Sequence, residues 1–480
     1  MLPGGLAPRQ LKEGAWPMPR ARQLVILTAC LAVLVPSTER ATAQEGTATA
    51  AGQLSRGHRW IRSHRFVISA LTQNEPLFDV DEYRGAGLNT LMAWDPKLTL
   101  FKKASAARLP IHYHMHQNNG KNVAEYVAHL RKLWAAYPTS DGVLFYDEPR
   151  VPAMKQVGEV CDALRKAFPG TLVYSNAMPK GNPRPAKYGL PADTKGDFYA
   201  TYLERFATEV RGDVLMIDIY PLGPGGGHSR VYYETLLLVR HLGLKHGVPY
   251  WLFIQGYNHD GRLRSPSESD LRFQLYTPLA MGFTGISYFS YGPAIGSGLI
   301  NAKKERQPIY YLASDVNQEV VHVGRALRYL KSTGVAFVLG QHEENGKSVP
   351  NAMPSTPEGG SYQWPAAGGR PAWLRGARVV ESGRGRNALL GFYRDDAGGD
   401  YLMVTNLWHD KGLSAAAANG TVQLMLDPSI LSVARLSRET GSVEQLVVTN
   451  GTLTITLPGG TGDLLKIKDG RFPGLSEKRP

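Results

Sequence analysis

Gly142-Val143-Leu144-Phe145-Tyr146-Asp147-Glu148-Pro149 reads as a buried strand that ends on two acids and gives way to a helix. The apolar run is short and rich in β-branched and aromatic side chains, as a parallel strand covered on both faces requires. Pro149 suits the opening of a helix, where its missing N–H costs nothing, and residues 152–167 continue with helical spacing.

The same unit recurs on both sides. Candidate strands are 66–70, 88–93 and 110–115 before it, and 171–175, 213–219, 249–255 and 284–290 after it. Helical stretches separate them near 122–136, 152–167, 197–210, 230–246, 266–281 and 309–331. In the first of these, Val123, Tyr126, Val127, Leu130 and Leu133 fall at three- and four-residue spacing, which gives one apolar stripe. Pro266 with Glu268 and Asp270 makes a favourable helix start. Eight strand–helix units predict an α/β fold of the (β/α)8 TIM-barrel type, spanning 58–334. A doubly wound open sheet is the rival. It calls for G-x-G-x-x-G after the first strand, whereas Gly85 and Gly87 precede the second.

After residue 334 the pattern changes. The 335–386 segment reads as linker and loop, since 343–386 are dense in Gly, Pro, Ser and Asn. Alternating runs then appear at 388–393, 400–405, 421–426, 443–448 and 452–457, with glycine-rich turns at 395–399 and 458–460. They predict a small antiparallel β-sandwich domain over 387–470.

The start of the chain reads as an export signal. Arg20 and Arg22 precede the apolar run Leu24–Val35, and Ala41-Thr42-Ala43 offers a small-residue cleavage site. The expected signal is 1–43, with Met18 as a possible start and Gln44 as the first mature residue. Leu27-Thr28-Ala29-Cys30 also resembles a lipoprotein box. The apolar run is too short to span a bilayer comfortably, so the expected localisation is secreted or periplasmic. Removing the signal leaves Cys161 as the single cysteine, read as a small buried apolar residue.

Hydrophobic residues make up 43% of the 480 and charged residues 20%, ordinary for a globular protein. The formal net charge is +13. It is dispersed, with no basic helix or Lys/Arg run, which argues against nucleic acid. An acidic polysaccharide is physically compatible with it.

Catalytic groups of a (β/α)8 barrel sit at the C-terminal ends of its strands. Those ends supply Trp94 and Asp95, His114 and His116, Asp147 and Glu148, Asn176, Asp218 and Tyr220, Gln255 and Tyr257, and Tyr288 and Tyr291. Aromatic faces stack on sugar rings, and paired carboxylates cleave glycosidic bonds. Glu148, Asp218 and Asp147 are the catalytic candidates, and the other ten are candidate substrate contacts. Each has a plainer reading. Asp147-Glu148 could cap a helix, Asp218 could hydrogen-bond within the barrel, and the tyrosines could simply pack. The alternation of His112, His114 and His116 invites a metal, yet no third ligand type is evident, so no metal or cofactor is expected. Ser175 lacks the G-x-S-x-G setting of a serine hydrolase.

Phe145-Tyr146-Asp147-Glu148-Pro149 resembles the strand-four Asn-Glu-Pro of clan A glycoside hydrolases, and Phe283–Tyr291 resembles the last strand of family-42-like barrels. The resemblance implies that Glu148 is the general acid/base, with Asp147 in place of Asn. It also implies a nucleophilic Glu at the end of strand seven, where this chain has Gln255. An amide cannot form the glycosyl-enzyme intermediate, which leaves Asp218 as the candidate second carboxylate. Asp141-Gly142 opens a D-G-x5-E run similar to the family 18 chitinase strand, although Leu144 and Tyr146 replace its aspartates. Family 20 hexosaminidases use an adjacent Asp-Glu. Both of these families rely on substrate assistance and need no enzyme nucleophile. The sequence thus supports a secreted glycoside hydrolase acting on a poly- or oligosaccharide. Its alternatives are a substrate-assisted hexosaminidase- or chitinase-like enzyme, and a non-catalytic sugar-binding barrel that has lost its nucleophile.

Overall fold

The computed structural model describes residues 54–72, 75–94, 98–115, 122–181, 183–259, 261–357, 359–365, 370–468 and 470–475. The expected signal, 1–43, lies outside them, as do Asp95 and His116.

Eight parallel strands close into a barrel in chain order: β1 Val67–Thr72, β2 Thr90–Trp94, β3 Ile111–Met115, β4 Ser140–Asp147, β5 Leu172–Ala177, β6 Leu215–Asp218, β7 Tyr250–Gln255 and β8 Gly285–Phe289, with β8 pairing back onto β1. All eight coincide with expected strands. Their apolar runs are continuous because both faces are covered. Ile68, Leu91, Ile111, Val143 and Val173 pack outward among the helices, while Met92, Leu144, Tyr174, Met216 and Trp251 fill the barrel interior. The helix Arg56–Ser63 closes the N-terminal mouth by placing Trp60 and Ile61 in that interior cluster.

His112 also lies inside the barrel, fully buried. Its Nδ1 is 2.8 Å from the Tyr174 hydroxyl, and its Nε2 is 3.4 Å from Asp141, which pairs with Arg65. A Cβ at position 142 would run into the His112 ring, so that ring requires Gly142. Burial alone would raise the Asp141 carboxyl, but His112 and Arg65 outweigh it and hold the group at about 2. Asp141, the start of the chitinase-like run, is therefore a structural partner at the far end of β4 from Glu148.

The β domain begins earlier than the composition suggests. The expected helix 309–331 stops at Leu327, and β9 Lys331–Val338 already belongs to the domain. The 343–386 stretch, read as loop, carries part of the hairpin β10 Gln341–Glu344 and β11 Lys347–Pro350, and also β12 Leu374–Val379. The remaining strands are β13 Ala388–Arg394, β14 Asp400–Asn406, β15 Gly420–Leu426, β16 Ser432–Leu436, β17 Val443–Val447, β18 Thr452–Leu457 and β19 Gly462–Ile467. A six-stranded antiparallel sheet of order β17-β16-β19-β14-β13-β9 faces a three-stranded sheet, β12-β15-β18. Leu390, Val404 and Leu465 of the first meet Leu374, Leu424 and Ile455 of the second in one core, which makes the domain a sandwich.

Helix Glu268–Met281 joins the two domains. Every residue from Ser269 to Met281 is buried, which explains why the segment lacks a polar face. One side packs on the barrel, and the other lies under β13, β14 and β19. Gly391 of β13 lets the strand approach so closely that a Cβ there would run into the Ala280 carbonyl. Each large apolar side chain buried in this way contributes roughly 1.5–3 kcal/mol. Ser267 and Asp270 form the capping box that starts the helix, one residue past the expected Pro266. Among the described residues no helix is long and apolar enough to cross a membrane.

Candidate active site

Strand β4 does not end regularly. Its pairing with β5 runs Leu144↔Tyr174 and then Asp147↔Asn176, so β4 carries one extra residue there. Tyr146 and Glu148 take the left-handed backbone, with φ of 67° and 51°. That conformation costs a side-chain-bearing residue on the order of 1 kcal/mol or more. Phe145 and Tyr146 both pack toward the outer cluster, so the bulge breaks the strand's alternation. It turns Asp147 and Glu148 together into the barrel mouth, where both line one cleft. The Glu148 N–H donates to the Asn176 carbonyl at 2.9 Å and pins the bulge to β5.

The cleft has a volume of about 230 Å³. Its polar wall is Asp147, Glu148, Asn176, Asp218 and His114, and its apolar wall includes Trp94, Tyr220, Phe253, Phe289 and Ile295. Trp94 stacks on His114, with ring centroids 4.5 Å apart and planes within 5°. Asn176 organises the acids. Its Nδ2 donates to Asp147 at 3.0 Å and to Asp218 at 3.1 Å, so these two carboxylates are separated by less than two hydrogen-bond lengths. His114 Nε2 lies 3.7 Å from Asp147.

The electrostatics follow from burial and like charge. Burial first, and then the Asp147 charge, push the Glu148 carboxyl up to about 7, against a smaller opposing pull from Lys187. Burial, followed by Glu148 and Asp147, raises Asp218 well above the usual carboxylate range, while its bond from Asn176 acts in the opposite sense. A carboxylic acid still protonated near neutral pH can donate that proton to a leaving group. Among the described residues no group of three His, Cys, Asp or Glu side chains is placed to hold a metal ion.

Thus Glu148, Asp147, Asp218, Trp94, His114, Asn176 and Tyr220 meet in one cleft. Tyr257 stands behind it, packed edge-on against Tyr220 and Phe289. Three further expected contacts do not face it either. Gln255 is fully buried, and its amide ties loops together: Oε1 accepts from Leu222 N, and Nε2 donates to the carbonyls of Leu222, Tyr257 and Arg264. Tyr288 turns outward to donate to Asn317 at 2.6 Å, and Tyr291 packs against Tyr83 and Phe78. Leu71, Phe253, Phe289 and Ile295 line the cleft without having been singled out. The two-residue period could have found Phe253, two positions from the inward Trp251, and Phe289, next to the outward Tyr288.

No family model matches the chain, and no curated protein sequence is similar to it. Solved structures resemble it at low identity. A protein described only as a glycoside hydrolase is 12% identical with a TM-score of 0.49, covering 85% of this chain and 94% of the other. The GH51 α-L-arabinofuranosidase of Thermotoga petrophila RKU-1 is 10% identical with a TM-score of 0.43, covering 86% and 97%. A putative α-galactosidase of Bacteroides fragilis NCTC 9343 is 9% identical with a TM-score of 0.43, covering 87% and 76%.

Proposed function

We propose that this chain is a glycoside hydrolase in which Glu148 is the general acid/base and Asp218 the second carboxylate, exported by the signal at residues 1–43. The observation that carries the reading is a carboxyl raised to about 7 that shares a small aromatic-walled cleft with two further acids. In the proposed first step, Glu148 passes its proton to the glycosidic oxygen as the bond from that oxygen to the anomeric carbon breaks. Positive charge then develops on the sugar ring. To meet that charge Asp218 has to be ionised, a form that its bond from Asn176 favours against burial and the neighbouring acids. The stacked Trp94–His114 pair and Tyr220 offer flat faces for the sugar.

A clan A double displacement through strand seven has no support here. Gln255 is not a disarmed nucleophile facing substrate, because its amide is engaged with backbone groups away from the cleft. Loss of activity therefore cannot be inferred from Gln255, and this weakens the sugar-binding alternative. The test is a screen of aryl glycosides and polysaccharides with the wild type, Glu148→Gln and Asp218→Asn. Hydrolysis that both substitutions suppress supports the proposal. Binding without turnover by the wild type would transfer the reading to a sugar-binding barrel.

A further inference from the structure

We infer that a second ligand site, built for a sugar carboxylate of the uronic-acid class, lies between the barrel and the β domain. It is a cavity of about 460 Å³ whose walls include His228, Arg230, Tyr233, Met353, Ser355 and Asn387. None of its lining residues is acidic. The acid closest in the bonding network, Glu234, is already held by Lys180 at 2.9 Å and by the Ser355 hydroxyl.

The polar groups around this cavity are left with unused capacity. Tyr233 is only 3% exposed, yet its hydroxyl makes no hydrogen bond among the described residues. Asn387 is 8% exposed, and its Oδ1 accepts from Gly340 N and Asn351 Nδ2, but its own Nδ2 donates to nothing described. Neither atom is walled off from the cavity, so water or a ligand there supplies the missing partner. His228 Nδ1 is paired with His409 at 2.9 Å, which leaves Nε2 for one more bond, as donor or acceptor according to tautomer. Arg230 is exposed and makes no hydrogen bond to a described residue, although its charge also acts on Glu234.

The chemistry selects the ligand. One exposed guanidinium and one unengaged amide N–H2 suit a carboxylate, which accepts and does not donate. A phenol and an imidazole nitrogen suit hydroxyls, and Met353 offers an apolar surface to a ring. A carboxylated sugar carries all three features. The walls are also fixed before any ligand arrives. Arg264 bonds the carbonyls of Gly225 and Gly227, Asp410 accepts from Gly227 N at 2.9 Å, and Asp270 joins Arg264 to His409. The loop that carries His228 and Arg230 begins where β6 ends at Asp218, so one short segment links this cavity to the catalytic cleft.

Calorimetric titration of the full chain with D-glucuronate, and in parallel with D-glucose, tests the inference. Wild-type protein should bind glucuronate at least about tenfold more tightly than glucose. Arg230→Ala should erase that preference, and because Arg230 is exposed the variant should keep the wild-type melting temperature. Tyr233→Phe should weaken both sugars a fewfold. Glu148→Gln should leave the preference intact, which places the binding outside the catalytic cleft. A preference that survives Arg230→Ala, one that disappears in Glu148→Gln, or no preference at all would overturn the inference. Uronate binding here by a chain that hydrolyses no glycoside would sink the proposed function and leave this site standing.

Discussion

Asp147 and Asp218 are hydrogen-bonded to the same nitrogen, Nδ2 of Asn176, from opposite neighbours of strand β5. Without that donor the two acids, with Glu148 beside them, would lose the amide they share. Asn176→Ala should therefore lower kcat/KM about ten- to a hundredfold, since a lost hydrogen bond to a charged group is worth roughly 1.5–3 kcal/mol. It should also change the pH profile. Asn176 opposes the rise of the Asp218 carboxyl, so its removal should move the acid limb of kcat toward higher pH. An unchanged limb would mean that Asp218 does not have to ionise for turnover.

Glu148 sets the other limb. Its carboxyl sits at about 7, so the proton-donating form dominates below that pH and disappears above it. The wild-type kcat/KM should fall as pH rises through about 7. Glu148→Gln should cost about 10²–10⁴ in rate on substrates with poor leaving groups, and far less on activated aryl glycosides. Whatever activity remains should lack the limb near 7. A variant that keeps the limb would assign it to another group.

The same group governs stability. A carboxyl raised in the folded state binds its proton more tightly there than in the unfolded chain. Its contribution is fully present below the ordinary value of 4.5 and is lost as pH rises through about 7. Glu148→Gln cannot ionise and so avoids that loss. It should melt higher than the wild type at pH 8, by on the order of 1–3 kcal/mol after allowance for partial exposure, with little difference at pH 4. Equal melting curves at pH 8 would show that the Glu148 carboxylate is not destabilised by its surroundings.

How far the sequence revealed all this depended on what each residue's neighbours demand. The barrel strands were legible because burial on two faces leaves an apolar run between helical patterns. Glu148 was legible because strand ends line the mouth of such a barrel. The bulge was not, since nothing in Phe145-Tyr146-Asp147 marks an extra residue. It surfaces only in the Leu144↔Tyr174 and Asp147↔Asn176 pairing. Tyr288 and Tyr291 looked like cleft aromatics, but the period of two turns Tyr288 toward Asn317 and Phe289 toward the cleft. Strand β12 was hidden because Arg375, Gly376 and Arg378 break its alternation.

Gln255 gives the sharpest test of whether chain position alone assigns a role. It stands at the end of β7, the place a clan A resemblance reserves for a nucleophile, so that resemblance makes Gln255→Glu a restoring change. The structure argues the reverse. Three backbone carbonyls, of Leu222, Tyr257 and Arg264, accept from its Nε2. A carboxylate there would have no hydrogen to give them and would set its charge against their oxygens in a fully buried setting. An unpaired buried charge is strongly disfavoured, so the new Glu would either stay protonated or loosen both loops. Gln255→Glu should therefore lower the melting temperature, more at pH 8 than at pH 5, and should not raise turnover on any glycoside. The Leu222–Arg264 loops it ties flank the cleft, so KM should rise as the protein is destabilised. A gain of activity, with a covalent glycosyl adduct on residue 255 seen by mass spectrometry, would return the nucleophile to strand seven and displace Asp218 from its proposed role.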